Sequence, residues 1–451
     1  MRSGAPARLR WPWKPSAPGR CQRRSCWTWY GATSTCGRRR SSTSSTSGAR
    51  STVRPRPTAT SGATTWTYPG SAPTEPTRCA PTCRRWLRGA EVAGSGSAAR
   101  RLFCAFDVLV RWLEASGVRV TYVQNVTDVD DPLFERARRD RVRWDELAAR
   151  EVRGFVADME ALGWRRPDLM PHVSTEIPGI LDAVRALDAR GFAYQTDAVY
   201  FDAGRFPSYG ALSHRSRRSM VRKLRDEGLL GEVGSGAKRD ALDFPLWRRS
   251  AVDEPAWDSA EFGPGRPGWH IECSAMAMRY LGPVIDVHGG GRDLAFSHHE
   301  SERAQSQSLT GRDVFARAWM HTGMVRYEGR KMSKSLGNLV VVRQCLERAP
   351  AAAVRLYLAS HHYRRDWSFR WEGLDRAVAL AARIRDLVGV RRGAGAGPAA
   401  GGKELVREFT AALNDDLDTP AAVRVLRRAV RERDAAAAAW MLGILAGTAA
   451  L

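Results

Sequence analysis

The sequence predicts an α/β protein with a doubly wound parallel sheet, followed by a helical region. First, a segment with apolar residues at helical spacing, 103–113, is followed by the turn residue Gly117 and the β-branched run 118–123. A helix, a short turn and a strand in this order are typical of such a sheet. Second, apolar residues recur at helical spacing from residue 341 onward. The length of 451 residues permits two or three domains.

The remaining elements follow from the same patterns. We expect helices over 132–140, 144–162 and 176–190, short strands over 199–201 and 284–287, a loop or helical insertion over 215–240, and helices over 341–348, 350–360, 370–391, 403–413 and 419–449. The Gly- and Ala-rich stretch 392–402 predicts a flexible linker. No run approaches eighteen apolar residues, so we expect no membrane span and no membrane partner.

The first hundred residues differ from the rest in charge and composition. They contain 17 Arg and one Lys against two acids, whereas the other 351 residues carry 53 basic and 46 acidic side chains. They hold five of the eight cysteines but only four residues of the Leu, Ile, Val and Phe types. Such a segment cannot bury enough apolar surface to offset its chain entropy, so we expect disorder over 1–95 and no strand or helix period there.

Three explanations of this segment remain open. It could be a basic tail that binds nucleic acid, a targeting peptide, or a coding segment read in the wrong frame or from a misplaced start. An excess of Trp and Cys without aliphatic residues favours the third explanation. The sequence thus predicts a disordered, aberrant segment over 1–100, an α/β domain over 101–340 and a helical bundle over 341–451.

A lysine-rich string at residues 329–338, GRKMSKSLGN, is the first candidate functional motif. Two lysines three residues apart, with serine between them, suit a loop around a polyphosphate, because ammonium groups stabilise charge that develops on a leaving pyrophosphate. A solvated basic turn is the alternative for a bare pair of lysines, but the longer string is far more specific. The candidate residues are Lys331 and Lys334, with Met332, Ser333 and Ser335 between and after them.

A second motif contains three potential zinc ligands, Cys273, His298 and Glu302. His298 and Glu302 are four residues apart, so one helical face presents both. Thiolate, imidazole and carboxylate all suit Zn²⁺, and an open position on the ion would bind a thiol in preference to a hydroxyl. Spacing alone leaves open an alternative, a buried cysteine near a surface His-His-Glu run.

Together these strings resemble the cysteinyl-tRNA synthetase family of class I synthetases and its close relative, the cysteine ligase of mycothiol synthesis. The resemblance covers about 101–420 and implies a Rossmann-type catalytic core, Zn²⁺ held by Cys273, His298 and Glu302, and ATP with Mg²⁺ as a substrate. It also implies substrate or ATP contacts from further residues, namely Trp269, Gly289, Gly290, Gly291 and Asp293. In the string 122–131, it places Asn125 and Thr127 at the substrate, whereas Asp128, Asp130 and Asp131 are expected to be structural.

The family's Cys-Gly-x-Thr and His-x-Gly-His strings are absent from the sequence. By the resemblance, both would lie just before residue 103. The first would supply a further cysteine ligand to the zinc, and the histidines of the second would bind the ATP phosphates at a helix N-terminus. Their loss leaves open a rival class, a synthetase-like binding module without activity.

Two acceptors for cysteine also remain open, tRNA(Cys) and glucosaminyl-inositol. The string 271–276 and Glu302 match the tRNA branch, whereas the string 131–137 and the 31 residues after Pro420 match the sugar branch. Of the two acceptors, tRNA(Cys) is narrowly preferred. The scattered cysteines suggest no disulfide framework, so we expect a cytoplasmic protein. We also expect a monomer.

Overall fold

The computed structural model describes residues 84–89, 97–231, 233–234, 237–332, 338–391 and 402–447, all of which lie in one compact unit. The strands are β1 Arg84–Gly89, β2 Arg119–Gln124, β3 Ala193–Gln195, β4 Val199–Phe201, β5 Phe244–Arg248, β6 Arg266–Pro267, β7 Ile285–Gly291, β8 Ala316–Thr322, β9 Val325–Tyr327, β10 Arg330–Lys331 and β11 Trp367–Phe369.

The helices alternate with these strands in the first half and dominate the second half. They are α1 Ser97–Ala115, α2 Asp131–Asp140, α3 Trp144–Ala161, α4 Val173–Ala189, α5 Arg217–Asp226, α6 Trp269–Leu281, α7 His298–Thr310, α8 Val342–Arg348, α9 Ala351–Ala359, α10 Trp371–Arg391, α11 Gly402–Asn414, α12 Thr419–Arg431 and α13 Ala435–Ala446. No described helix has both the length and the apolar character needed to cross a bilayer.

The central sheet is parallel and has the strand order β2-β1-β7-β8. From β1 the chain passes through α1 to β2 on one side, and it later returns to β7 on the other side of β1. The order of the strands therefore reverses between β1 and β7, and α/β proteins bind ligands at the carboxyl ends of strands around such a point. The predicted parallel α/β sheet is confirmed.

The strand β1 corrects the expectation that 1–95 has no regular element. It pairs with β2 over six residues, from Arg84 opposite Arg119 to Gly89 opposite Gln124, and it also pairs with β7. Its sequence shows no alternation of apolar and polar residues, but ladder hydrogen bonds use backbone groups that every residue except proline carries. The rest of the predicted disordered segment lies outside the described residues, as do residues 392–401 of the predicted linker 392–402; Gly402 begins α11.

The prediction of a single final helix over 419–449 is also wrong, because the chain forms two helices there, α12 and α13. Arg433 adopts a left-handed backbone conformation with φ of 58°, and the Asp434 carboxylate accepts a hydrogen bond from the Ala437 N–H at 3.0 Å. Aspartate at such a position satisfies a backbone donor at the start of a new helix, which competes with continuation of the preceding one.

Between β2 and β7 the chain forms an inserted layer with its own core. The strands β3 to β6 make an antiparallel sheet in sequential order, and the predicted insertion 215–240 contains α5. A separate, larger apolar cluster runs from Phe103 on α1 to Ala446 on α13. Side chains of the central sheet and of the last helices thus share one core.

Candidate active site

The three predicted zinc ligands meet in the interior. Cys273 lies on α6, and His298 and Glu302 lie one turn apart at the start of α7. One ligand atom from each lies within 4.8 Å of the others, and none of the three residues is more than 2% exposed. Because α6 and α7 pack side by side, a spacing of 25 residues in sequence becomes direct proximity.

Each of these candidate ligands has a polar neighbour that orients it. The Asn125 Nδ2 donates to the Cys273 Sγ at 3.3 Å, and the His298 Nε2 lies 2.9 Å from the Glu302 Oε1. On its other side, the His298 ring shares a hydrogen bond with His270, at 2.9 Å between the two Nδ1 atoms. Such outer contacts fix the orientation of ligands and raise their affinity for metal.

The donor set fits a zinc ion. A thiol, an imidazole and a carboxylate converge within bonding reach of one point, and three protein ligands would leave a fourth position for a substrate. Burial, together with the neighbouring His298, holds the pKa of His270 well below its ordinary value, so that ring is neutral near pH 7. A neutral ring removes one positive charge that would otherwise repel a bound cation.

A second group of histidines shares Glu302. The Glu302 Oε2 lies 3.3 Å from the His288 Nε2, and His288, His299 and Glu302 also bring ligand atoms within 4.8 Å of one another. The His299 Nδ1 and the His321 Nε2 are hydrogen bonded at 2.8 Å. Burial lowers the pKa of His321 to about 4, and that of His299 falls well below its usual range for the same reason.

Sequence reasoning did not identify His270, His288 or His299 as site residues. Five of the nine histidines of the chain gather here, including His298 and His321. A signal was present, because each missed histidine stands inside or beside a string already selected for its chemistry. Histidine enrichment within those strings would have indicated a shared site.

The predicted substrate residues Asn125, Thr127 and Trp269 lie at the triad. Asn125 and Thr127 follow the carboxyl end of β2, and the Asn125 Nδ2 is 3.5 Å from the Thr127 Oγ1. The Trp269 indole is half-buried, and its ring centre is 4.4 Å from that of His298. Asn125 thus contacts the Cys273 sulfur, Thr127 contacts Asn125, and Trp269 lies against the His298 ring.

The predicted adenylate residues Gly289 to Gly291 end β7 at the edge of the sheet where the strand order reverses. A methyl group on Gly289 would overlap the Phe106 ring and lie 2.8 Å from the Met320 carbonyl oxygen. At Gly290 it would lie 2.8 Å from His299 Cε1. Two of the glycines are therefore required by packing, and their contact with a nucleotide stays a prediction, as does that of the exposed Asp293.

The lysine-rich string begins at the end of a hairpin. Lys331 ends β10, which pairs antiparallel with β9 around a turn where Glu328 and Gly329 have φ of 51° and 74°. Met332 is buried in the larger core. The residues Ser333, Lys334 and Ser335 lie outside the described residues, so the phosphate contacts of this string stay a prediction.

A parallel sheet whose strand order reverses beside a Cys-His-Glu cluster fits the catalytic core of a class I synthetase. Residues 94–379 match the family described as tRNA synthetases class I (C) catalytic domain, and the chain belongs to this family. The resemblance drawn from the two motifs is confirmed.

Two kinds of curated relative are similar to this chain. One is an L-cysteine:1D-myo-inositol 2-amino-2-deoxy-alpha-D-glucopyranoside ligase of Acidothermus cellulolyticus, 46% identical over 326 residues that cover 72% of this chain and 78% of the relative. The other is a cysteine--tRNA ligase of Pseudomonas entomophila, 43% identical over 354 residues that cover 76% and 74% of the two chains.

Among solved structures, the Mycobacterium tuberculosis methionyl-tRNA synthetase bound by methionyl-adenylate is similar to this chain. The TM-score is 0.60 at 14% identity, over 82% of this chain and 93% of that one. At this identity the likeness is one of fold.

Proposed function

We propose that this ligase condenses cysteine with ATP to form cysteinyl-adenylate and then transfers the cysteinyl group to tRNA(Cys). The observation that carries the proposal is the buried convergence of Cys273, His298 and Glu302 beside the carboxyl ends of β2 and β7. The curated relatives of both kinds are named for ligases that use cysteine.

Cys273, His298 and Glu302 would hold Zn²⁺, which favours a thiolate over a hydroxyl and so supplies selection of cysteine over serine. Asn125 keeps the sulfur of Cys273 directed into the site, and His270 does the same for the ring of His298. The Trp269 indole, which lies against the His298 ring, would contact the side chain of the bound cysteine.

In the first half-reaction, the carboxylate oxygen of cysteine attacks the α-phosphorus of ATP, and the bond to pyrophosphate breaks. Lys331 and Lys334 stabilise the negative charge on that leaving group, and Mg²⁺ accompanies ATP as part of the substrate. In the second, a hydroxyl of the acceptor attacks the carbonyl carbon of the adenylate and AMP leaves. Both steps depend on positioning and electrostatics, without a covalent enzyme intermediate.

A second acceptor, the amine of glucosaminyl-inositol, is favoured by one observation. The relative named for that sugar derivative matches at 46% identity, slightly above the 43% of the tRNA-dependent relative. The tRNA acceptor keeps precedence because the string 271–276 matches the tRNA branch.

Cysteine-dependent exchange of labelled pyrophosphate into ATP tests the first step. We expect exchange with cysteine and none with serine, and loss of exchange in Cys273→Ser. No exchange with either amino acid would support the alternative of an inactive binding module. Incubation with tRNA(Cys) or glucosaminyl-inositol then identifies the acceptor, and transfer to the sugar alone would overturn the first choice.

A further inference from the structure

The helix α5 has one face in the core and an arginine-rich face on the outside. Met220 and Leu224 are buried in a small cluster that also contains Phe296, two residues before the candidate ligand His298. Arg218, Arg222 and Arg225 are exposed. At 100° per residue these arginines lie within a narrow sector on the side opposite Met220 and Leu224. We call Arg218, Arg222 and Arg225 the arginine face of α5.

The segment before α5 is hydrogen bonded to α7, the helix that carries two of the candidate zinc ligands. The Ser213 N–H donates to the Glu300 Oε2 at 2.8 Å, and the hydroxyls of Tyr209 and Ser301 are hydrogen bonded at 2.8 Å. Glu300 and Ser301 lie between His298 and Glu302 in sequence. The position of α5 is therefore tied to the active-site helix by hydrogen bonds as well as by the Phe296 cluster.

Two other cations on this helix are neutralised by ion pairs, whereas the arginine face is not. Arg217 forms an ion pair with Asp240, and Lys223 pairs with Glu227. Within the described part of the chain, Arg218, Arg222 and Arg225 form no ion pair. The exposed Asp226 at the end of the helix reduces the local charge by one. Three guanidinium groups thus face solvent in one row.

We propose that the arginine face of α5 binds the phosphodiester backbone of the RNA acceptor close to the active site. Guanidinium groups make bidentate hydrogen bonds with phosphate oxygens, and a row of them matches the regular charge of a nucleic-acid strand. Glucosaminyl-inositol carries no such row of phosphates. The inference rests on the proposed function, because it concerns the acceptor that this function uses.

Binding of a fluorescently labelled tRNA(Cys) transcript to the full chain tests the proposal. In Arg222→Gln/Arg225→Gln, we expect the Kd to rise about tenfold at low salt, and the slope of log Kd against log salt to fall by about one for each contact removed. Glutamine has a similar helix propensity to arginine, so α5 should persist, and circular dichroism checks this.

The matched control is Arg150→Gln/Arg153→Gln, which removes the same charge from exposed positions on α3. We expect its affinity and salt slope to equal those of the unsubstituted chain. An equal loss in both variants, no loss in either, or no RNA binding by the unsubstituted chain would overturn the proposal. Pyrophosphate exchange by the unsubstituted chain needs no RNA, so it reports cysteine activation separately from this docking surface.

Discussion

Glu302 belongs to both groups of potential metal ligands in the candidate active site. One oxygen faces His298 and the other faces His288, at 2.9 and 3.3 Å. Two imidazoles on opposite sides restrict rotation of the carboxylate, which keeps one oxygen directed at the point shared with Cys273. The side chain is 1% exposed, so water does not compete for these contacts.

Replacing Cys273 by serine should abolish metal binding and discrimination against serine. A hydroxyl is a much poorer zinc ligand than a thiolate, and the two remaining ligands do not form a stable site. Zinc per chain, measured by elemental analysis after dialysis, reports the result. Cys345→Ala is the matched control, because burial raises the pKa of that distant thiol to about 11 and keeps it protonated. Retained zinc in Cys273→Ser would show that the ion is held elsewhere.

Replacing His270 by phenylalanine should weaken zinc binding by about 10- to 100-fold without removing it. The substitution keeps an aromatic ring but removes the nitrogen that lies 2.9 Å from the His298 ring. Competition against a zinc-binding dye gives the affinity. Phe296→Leu, which alters a neighbouring buried ring that holds no ligand, serves as the control, and an equal loss there would indicate a packing effect.

At the scale of elements, a carboxylate from the loop after β2 stabilises the start of α4. The Asp128 carboxylate accepts hydrogen bonds from the Ser174 N–H at 3.0 Å and the Ser174 hydroxyl at 2.6 Å, and it lies 3.1 Å from His172 Nδ1. Asp128 therefore has a structural role, as expected, and the helix that it stabilises is α4. This contact fixes the loop that carries Asn125 and Thr127.

The stability contributed by Asp128 should depend on pH on both sides of neutrality. Burial alone would raise the pKa of Asp128, but hydrogen bonds from His172 and Ser174 outweigh burial and hold it below 3.8. The hydrogen bond to Asp128 raises the pKa of His172 above 6.5. The aspartate contribution is thus present above pH 3.8 and lost as the pH falls through the depressed value. The histidine contribution is complete below pH 6.5 and lost as the pH rises through the elevated value.

The difference in Tm between the unsubstituted chain and Asp128→Asn should consequently be largest between pH 3.8 and 6.5. Thermal unfolding followed by circular dichroism across this range measures it. His172→Ala should remove the decline on the alkaline side and leave the decline on the acidic side. A difference in Tm that does not vary with pH would contradict this assignment.

At the scale of the whole molecule, one buried ion pair connects the sheet region with the C-terminal helices. Arg355 on α9 pairs with Asp107 on α1 and also donates to the Leu445 carbonyl of α13 at 3.1 Å. Both side chains are at most 1% exposed. Asp107 receives two further hydrogen bonds, from Arg111 Nε and the Arg165 N–H. Three helices that are distant in sequence are thereby held together by charge inside an apolar core.

Replacing Arg355 by methionine should destabilise the protein by about 3 kcal/mol, since it removes the buried partner of Asp107 and leaves the partly exposed Arg111 as the remaining cation beside this carboxylate. Urea denaturation gives the change in unfolding free energy. The control is Arg343→Met. Arg343 forms an ion pair with Asp158 but its side chain is 68% exposed, so we expect the unfolding free energy to change by less than about 1 kcal/mol. A loss at Arg355 no larger than at Arg343 would show that the buried pair is not needed.

Properties that depend on neighbours in sequence could be predicted from the sequence alone. The spacing of His298 and Glu302 predicted a shared helical face, the run 118–123 predicted β2, and the lysine-rich string together with the Cys273 and histidine strings predicted the family. These features depend on helical period, strand period and local motif, which one short stretch of chain specifies.

Only the tertiary structure decided which distant groups meet. It placed β1 in the middle of the sheet, gathered His270, His288 and His321 around Glu302 and His298, and divided the predicted last helix at Arg433. The physical reason is that backbone pairing and packing between elements are not encoded by the period of any single segment. They arise when several segments share one core, so the sequence specified the candidate ligands of the site and the fold determined their surroundings.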